Sequence, residues 1–358
     1  MRKSIMLLVT YKCNLRCTYC YEPKKLDFKM STAKAMDIIS QQLNLLDDDV
    51  DTFEIQFMGG EPLLEFSLVK EVSEWVWDMN IQNRKIILFA PTNGTLLNTE
   101  MKHWFSRNKD RITLGLSFDG DMIMQNINRS DSSKNVDLRY FVNTWPEQSI
   151  KMTISPETVC KLYDGVKSLH DCGFTYISAD LAMGPNINWN KESLIIFRDE
   201  LKKLTSFYID NPQLIPFSML RLDVTSIENG KGSNVKTCGC GENLICFDWT
   251  GKSYACHLFS PIALSLAKAR KSNEQYDFSN HAEFNSEICN KCFLNTICNH
   301  CYGMNYLCTG DVKIASSFHC CAFRLIFIAN CRYMIQLAKK EGNSVIINKI
   351  NRVLKLVK

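Results

Sequence analysis

Three cysteines stand within eight residues at the end of the first apolar run of this chain: Cys13, Cys17 and Cys20, in the pattern C-x3-C-x2-C. A chain that opens this way must place a loop directly after its first strand and turn three thiols to one side of it. Three thiolates this close can grip three irons of a cubane [4Fe–4S] cluster. A fourth cysteine at similar spacing is missing, which leaves one iron open to a non-protein ligand. A zinc site built on the same triad would need a fourth ligand, and the nearest histidine in sequence is His103.

Seventeen cysteines in 358 residues fit no disulfide framework if the chain works in a reducing compartment, and so point to metal. The apolar run 5–9 is too short for a signal peptide, which needs about 7–15 apolar residues. No stretch reaches the ~18 consecutive apolar residues of a membrane span. The expected location is cytoplasmic, with no membrane partner. Net charge is +4 from 42 basic and 38 acidic residues mixed along the chain, which gives no electrostatic footprint for nucleic acid. Hydrophobic residues make up 46%, enough for a sizeable core. Twelve of the cysteines fall between 238 and 331, and the isolated Cys160 and Cys172 read as small buried core residues.

The first ~215 residues alternate strand-like and helix-like segments. Strands are expected at 4–10, 53–58, 85–90, 112–118, 151–154 and 174–179. Helices are expected at 31–46, 64–79, 98–108, 156–171 and 191–209. This alternation predicts βαβ units and a parallel sheet. The fold class is therefore α/β, as a partial (β/α)6 barrel followed by a small cysteine-rich iron–sulfur domain and a C-terminal helix. The expected domains are residues 1–228, 236–330 and 331–358, with a Gly/Ser/Asn/Lys linker at 228–235. In a barrel the polar signals gather at the C-terminal strand ends. Here these are Cys13–Cys20, Gly59-Gly60-Glu61-Pro62, Thr92-Asn93-Gly94-Thr95 and Ser117-Phe118-Asp119-Gly120. Thr250-Gly251 reads as the turn of a hairpin between 244–248 and 253–257, and a helix is expected at 322–340.

The cysteine triad, with Tyr19 before its last member and Gly59-Gly60-Glu61-Pro62 after the second strand, resembles the signature of radical S-adenosylmethionine enzymes. The resemblance implies that Cys13, Cys17 and Cys20 hold a [4Fe–4S] cluster. It implies that the methionyl amine and carboxylate of S-adenosylmethionine chelate the open iron, and that reduction releases a 5′-deoxyadenosyl radical. Tyr19 is similar to the aromatic that packs near the adenine. Gly59 and Gly60 let the backbone approach the methionyl amine, and Glu61 offers it a carboxylate. Asn93 and Ser117 occupy positions that resemble cofactor contacts.

The second half resembles the SPASM extension of radical enzymes that modify peptides and proteins. The matching residues are Cys240, Gly251 and Cys256, then Cys289-x2-Cys292-x5-Cys298-x2-Cys301, then Cys320-Cys321. The resemblance implies two auxiliary [4Fe–4S] clusters, one on Cys238, Cys240, Cys256 and Cys301, the other on Cys289, Cys292, Cys298 and Cys320. Cys246, Cys308 and Cys321 compete for these places. The family has three residues between its last two closely spaced cysteines, and this chain has Asn299 and His300 alone. A zinc ribbon also uses paired C-x2-C units.

The overall plan is similar to that of anaerobic sulfatase-maturating enzymes and ribosomal-peptide maturases. It implies hydrogen abstraction from a side chain of a peptide or protein, ending in a thioether, C–C or ether cross-link. It also implies an external one-electron donor of flavodoxin or ferredoxin type. Asp119 and Arg129 lie in a block that resembles peptide-binding residues of the family. Where sulfatase maturases have a basic aspartate after the hairpin cysteine, this chain has His257, which can take a proton near neutral pH. Formylglycine formation therefore ranks second, then oxidation of a small alcohol or sugar, then a zinc-organised binding module without catalysis. Many peptide maturases carry a leader-binding domain ahead of the first motif. Twelve residues precede Cys13 here, so either a separate leader-binding protein or direct recognition by barrel and cysteine-rich domain is expected.

Overall fold

A computed structural model describes residues 1–22, 24–79, 81, 84–229, 238–278, 280 and 284–356. The chain divides into two compact units, residues 1–117, 129–148 and 238–279 in one, residues 118–128, 149–237 and 280–358 in the other. Most of the expected 228–235 linker lies outside the described residues.

The first unit is built on β1 (Arg2–Thr10), β2 (Thr52–Gly59), β3 (Lys85–Thr92) and β4 (Ile112–Leu116), all parallel. Its sheet runs in the order β4-β3-β2-β1-β7-β8, where β7 is Leu244–Phe247 and β8 is Ser253–Tyr254. β1 reads as a continuous apolar run because it is central: β2 pairs along one side and β7, also parallel, along the other, with Ile5 opposite Ile245 and Met6 opposite Cys246. The connecting helices carry apolar stripes at helical spacing. α1 (Thr32–Asn44) is capped by Ser31, whose side chain accepts from the Lys34 amide, and buries Ala35, Ile38 and Ile39. α2 (Phe66–Asp78) buries Leu68, Val69, Val72 and Val76, each worth about 1.5–3 kcal/mol of apolar burial. α3 (Thr99–Arg107) is capped by Asn98 and buries Trp104 and Phe105.

The second unit contains α4 (Met122–Asn128), the parallel pair β5 (Ile150–Ile154) and β6 (Ile177–Leu181), α6 (Leu162–Asp171) and α7 (Lys191–Asp210). α5 (Leu138–Thr144) belongs to the first unit. α7 opens with a reciprocal capping box between Asn190 and Ser193. The rest of the cysteine-rich region forms α9 (Glu287–Asn290), α10 (Tyr302–Thr309), α11 (Ser317–Lys340) and α12 (Ser344–Leu356), while α8 (Leu266–Gln275) packs with the first unit. A core of Val224, Ile227, Leu294, Ile297, Phe323, Phe327, Ile350 and Val353 ties α11 and α12 to the cysteine segment. Among the described residues, α11 alone is by length and composition apolar enough to cross a membrane. It buries Phe323, Phe327, Ala329 and Cys331 inside the fold.

Two expectations are corrected. Cys160 and Cys172 are exposed, because they sit on the short turn leading into α6 and on its C-cap, where a small side chain has nothing to pack into. The helix expected from residue 322 begins at Ser317, capped by Ser316, so Cys320 and Cys321 lie inside its first turns.

Candidate functional site

The loop after β1 is held from three directions. Leu15 is buried beneath it. Its amide points at Cys13 Sγ, 3.5 Å away, and the Cys20 amide donates to the Cys17 carbonyl at 3.1 Å. The Arg16 amide donates to Ser130 Oγ at 2.9 Å. All three thiols are half-buried. The end of β2 then closes on the loop, with the Gly60 amide donating to the Thr10 carbonyl at 3.0 Å and the Glu61 amide to the Lys12 carbonyl at 2.8 Å.

This closure explains both glycines locally. A Cβ on Gly59 would stand 2.1 Å from the Thr10 carbonyl oxygen, at a φ of +151°. One on Gly60 would stand 2.3 Å from the Lys12 oxygen and 3.0 Å from Cys13 Cβ. Backbone meets backbone here, so no side-chain rotation relieves the clash.

Glu61 is 1% exposed. Its carboxylate accepts from Thr92 Oγ1 at 2.8 Å, the Asn93 amide at 2.8 Å and the Leu63 amide at 3.1 Å. Burial pushes its pKa up to about 7, against these donors and the charge of Arg129. Asn93 Nδ2 reaches Asn14 Oδ1 at 2.9 Å, inside the cysteine loop. Thr95 joins both, accepting from Asn14 and donating to Asn93. The Gly-Gly-Glu and Thr-Asn-Gly-Thr signals thus form one polar scaffold under the thiols. The Ser117 amide extends it by donating to the Thr92 carbonyl at 2.8 Å. The Tyr19 ring lies under the Arg129 guanidinium, 5.5 Å from its carbon, and the next two residues, Ser130 and Asp131, hold left-handed φ values of 55° and 51°. That strain, at the loop bonded to Arg16, was not legible in sequence.

Asp119 lies in the other unit and is 0% exposed. Its carboxylate accepts from the Thr153 amide at 2.8 Å and Asn128 Nδ2 at 3.1 Å, while its own amide donates to Gln125. These bonds fasten α4 to β5.

In the cysteine-rich part, the Cys240 thiol hydrogen-bonds those of Cys238 and Cys256, and these contacts together with burial push its pKa upward. Gly241 shapes the turn, its amide bridging the Leu244 and Ala255 carbonyls at 2.9 and 3.0 Å. Cys246 is buried within the β1–β7 pair beside Cys256 and Asp248, and burial raises its thiol too. His257 follows, its ring 5.1 Å from Tyr21. Its Nδ1 is buried without a hydrogen-bond partner among the described residues, and burial pulls its pKa down to about 4. Cys301 caps α10 in the other unit.

There Cys298 faces Cys320, Cys289 and Cys292, and burial followed by these neighbours pushes it up to about 12. Sequence reasoning missed His319, whose Nε2 lies 3.6 Å from Cys298 Sγ; a histidine beside the double cysteine was the available signal. His300 makes its contact with Asn305 Nδ2, 2.8 Å from its Nδ1. Cys321 is exposed and Cys308 half-buried on α10. Among the described residues, no three His, Cys, Asp or Glu side chains converge on single-ion geometry.

Residues 3–135 match the family described as a 4Fe-4S single cluster domain. The chain is 37% identical over 118 residues to an uncharacterised protein of Methanocaldococcus jannaschii, covering 33% of this chain and 39% of that one. It is 31% identical over 126 residues to a cysteine-type anaerobic sulfatase-maturating enzyme of Clostridium perfringens, 33% of each chain. It thus spans about a third of the length of these first relatives. A serine-type anaerobic sulfatase-maturating enzyme of Klebsiella aerogenes is 24% identical over 345 residues, 85% of this chain and 82% of that one. Among solved structures, native anSMEcpe with bound AdoMet and Cp18Cys peptide superposes with a TM-score of 0.69 at 20% identity, covering 98% of this chain and 99% of that one. Streptococcus suis SuiB bound to its precursor peptide SuiA gives 0.60 at 14% identity, over 89% and 76%.

The chain is thus similar in sequence to anaerobic sulfatase-maturating enzymes and shares the fold of anSMEcpe and SuiB. Its residues fit the groups that such maturases imply. Three half-buried thiols share one rigid loop. Two further sets of thiols face one another, Cys238/Cys240/Cys256 and Cys289/Cys292/Cys298/Cys320.

Proposed function

We propose that this protein is a cytoplasmic, S-adenosylmethionine-dependent radical enzyme that modifies a peptide or protein substrate. The observation that carries the reading is the Cys13–Cys20 loop, closed by Gly59–Glu61 backbone against Thr10 and Lys12 while its three thiols stay half-buried. When bound, the cofactor and its cluster supply a radical that removes a hydrogen atom from a C–H bond. The protein's part is orientation. Cys13, Cys17 and Cys20 hold the first cluster. Glu61, Asn93 and Asn14 keep the loop rigid, Tyr19 and Arg129 form the wall beside it, and Ser117 stands at the next strand end. Cys238, Cys240 and Cys256 supply ligands for one auxiliary cluster, and Cys289, Cys292, Cys298 and Cys320 hold the other. The finer assignment is an oxidative cross-link in a ribosomally made peptide, fed by an external flavodoxin- or ferredoxin-type donor.

Formylglycine formation is the second reading. The match to a serine-type sulfatase-maturating enzyme over 85% of the chain favours it, and His257 holds the position of the base. Anaerobically reconstituted protein is expected to contain about twelve irons and matching sulfide per chain, and to release 5′-deoxyadenosine under dithionite. Cys17→Ala should abolish that release while leaving about eight irons. Two zincs without sulfide would refute the reading. Cross-linked against formyl-bearing product, read by mass spectrometry on a cysteine-containing peptide, separates the two chemistries.

A further inference from the structure

Beside the first thiol triad lies an ion pair that the proposed reaction does not use. Lys25 Nζ stands 2.7 Å from Glu22 Oε2 and 3.2 Å from Cys20 Sγ. Glu22 is 4% exposed, and the Lys25 side chain 18%. The second Glu22 oxygen is also buried and has no hydrogen-bond partner among the described residues. Among the described residues, Lys25 therefore carries the Glu22 side chain's hydrogen bonding, and Glu22 in turn fixes where the ammonium points. A buried carboxylate is retained at such a position only with its counter-charge. The pair spends that arrangement on aiming one N–H at one sulfur.

We propose that Lys25, positioned by Glu22, donates a charged N–H···S hydrogen bond to the Cys20 ligand of the first cluster and raises that cluster's reduction potential. The inference rests on Cys20 being a cluster ligand, as in the function proposed above. The physical reason is charge. A reduced cluster carries one more negative charge than the oxidised one, and a cation held against a ligand sulfur stabilises the reduced form more. Hydrogen bonds to sulfur and local charge are established determinants of cluster potential. Little water reaches the pair, so the effect is weakly screened. Lys25 is a positioning residue in this sense, since it acts through Cys20.

The test is a potentiometric titration of the reconstituted, three-cluster protein, followed by electron paramagnetic resonance. The first cluster is identified as the signal that changes when S-adenosylmethionine is added. Lys25→Met removes the donor and leaves Glu22 uncompensated. Lys25→Met/Glu22→Gln removes both charges. Lys25→Arg keeps the cation and its tether. The first two are expected to titrate at more negative potential than wild type, with iron content unchanged, and Lys25→Arg close to wild type. Should Lys25→Met fail to fold, the double variant decides. A double variant at the wild-type potential overturns the inference, because the shift would then belong to the stranded carboxylate. Loss of four irons from both variants also overturns it, by making the pair structural. A wild type with no S-adenosylmethionine-sensitive signal would instead refute the functional reading itself.

Discussion

Gly60→Ala tests whether the second glycine serves the cysteine loop. The added Cβ would lie 2.3 Å from the Lys12 carbonyl oxygen, 2.6 Å from its carbon and 3.0 Å from Cys13 Cβ. Strand end and loop must separate, which puts the Gly60–Thr10 and Glu61–Lys12 backbone bonds at risk. Overpacking costs about 1–3 kcal/mol, and two backbone hydrogen bonds about 0.5–1.5 kcal/mol each. The expected loss is about 2–6 kcal/mol, or at least ~4 °C in Tm at roughly 2 °C per kcal/mol. Gly310→Ala is the comparison, with a φ of +79° but nothing within 4 Å of its added Cβ. It isolates left-handed strain, about 1–2 kcal/mol. Urea midpoints and iron analysis after reconstitution measure both effects. Gly60→Ala should unfold earlier than Gly310→Ala and hold about four fewer irons. Equal midpoints with full iron in both would refute the reasoning.

Glu61 has a folded pKa near 7 against a reference of 4.5, so its contribution is fully present below pH ~4.5 and is lost as pH rises to ~7. That amounts to about 3 kcal/mol, and the corresponding slope in metal-free unfolding titrations should vanish in Glu61→Gln. Ile350→Ala, at a 0% exposed position against α11, is expected to cost about 2–5 kcal/mol in urea unfolding and to loosen iron at the Cys289–Cys320 set. In native, metal-free protein, a maleimide should label exposed Cys160 and Cys172 rapidly and spare buried Cys246 and Cys331, as read by peptide mass spectrometry.

The parallel strands were legible because β1 to β5 bury apolar runs at predictable spacing, and because Ser31 and Asn98 cap the helices that follow. The cysteine loop was legible for a chemical reason: few functions require three thiols in eight residues. What the sequence hid was context. Glu61 looks like an available carboxylate until Thr92, Asn93 and Leu63 are seen to hold it. Asp119 sits in an Asp-Gly turn that gives no hint of the Thr153 and Asn128 bonds burying it. Lys25 and His319 gain meaning only from a sulfur brought close by the fold. In α12, Ile350 and Val353 fill a core although Lys349, Arg352 and Lys355 surround them in sequence.

The pairing of β7 with β1 has a consequence for biosynthesis. Ser4 to Leu7 find their second neighbour only in Leu244 to Phe247. While the ribosome makes the intervening two-thirds of the polypeptide, the flank of β1 is an open, apolar ladder of the kind that recruits foreign strands. Closing so long a loop is slow. Truncations ending before residue 244 should therefore aggregate even though every motif of the amino-terminal half is intact. The sheet that carries the first cysteine loop is complete only once β7 and β8 have been made.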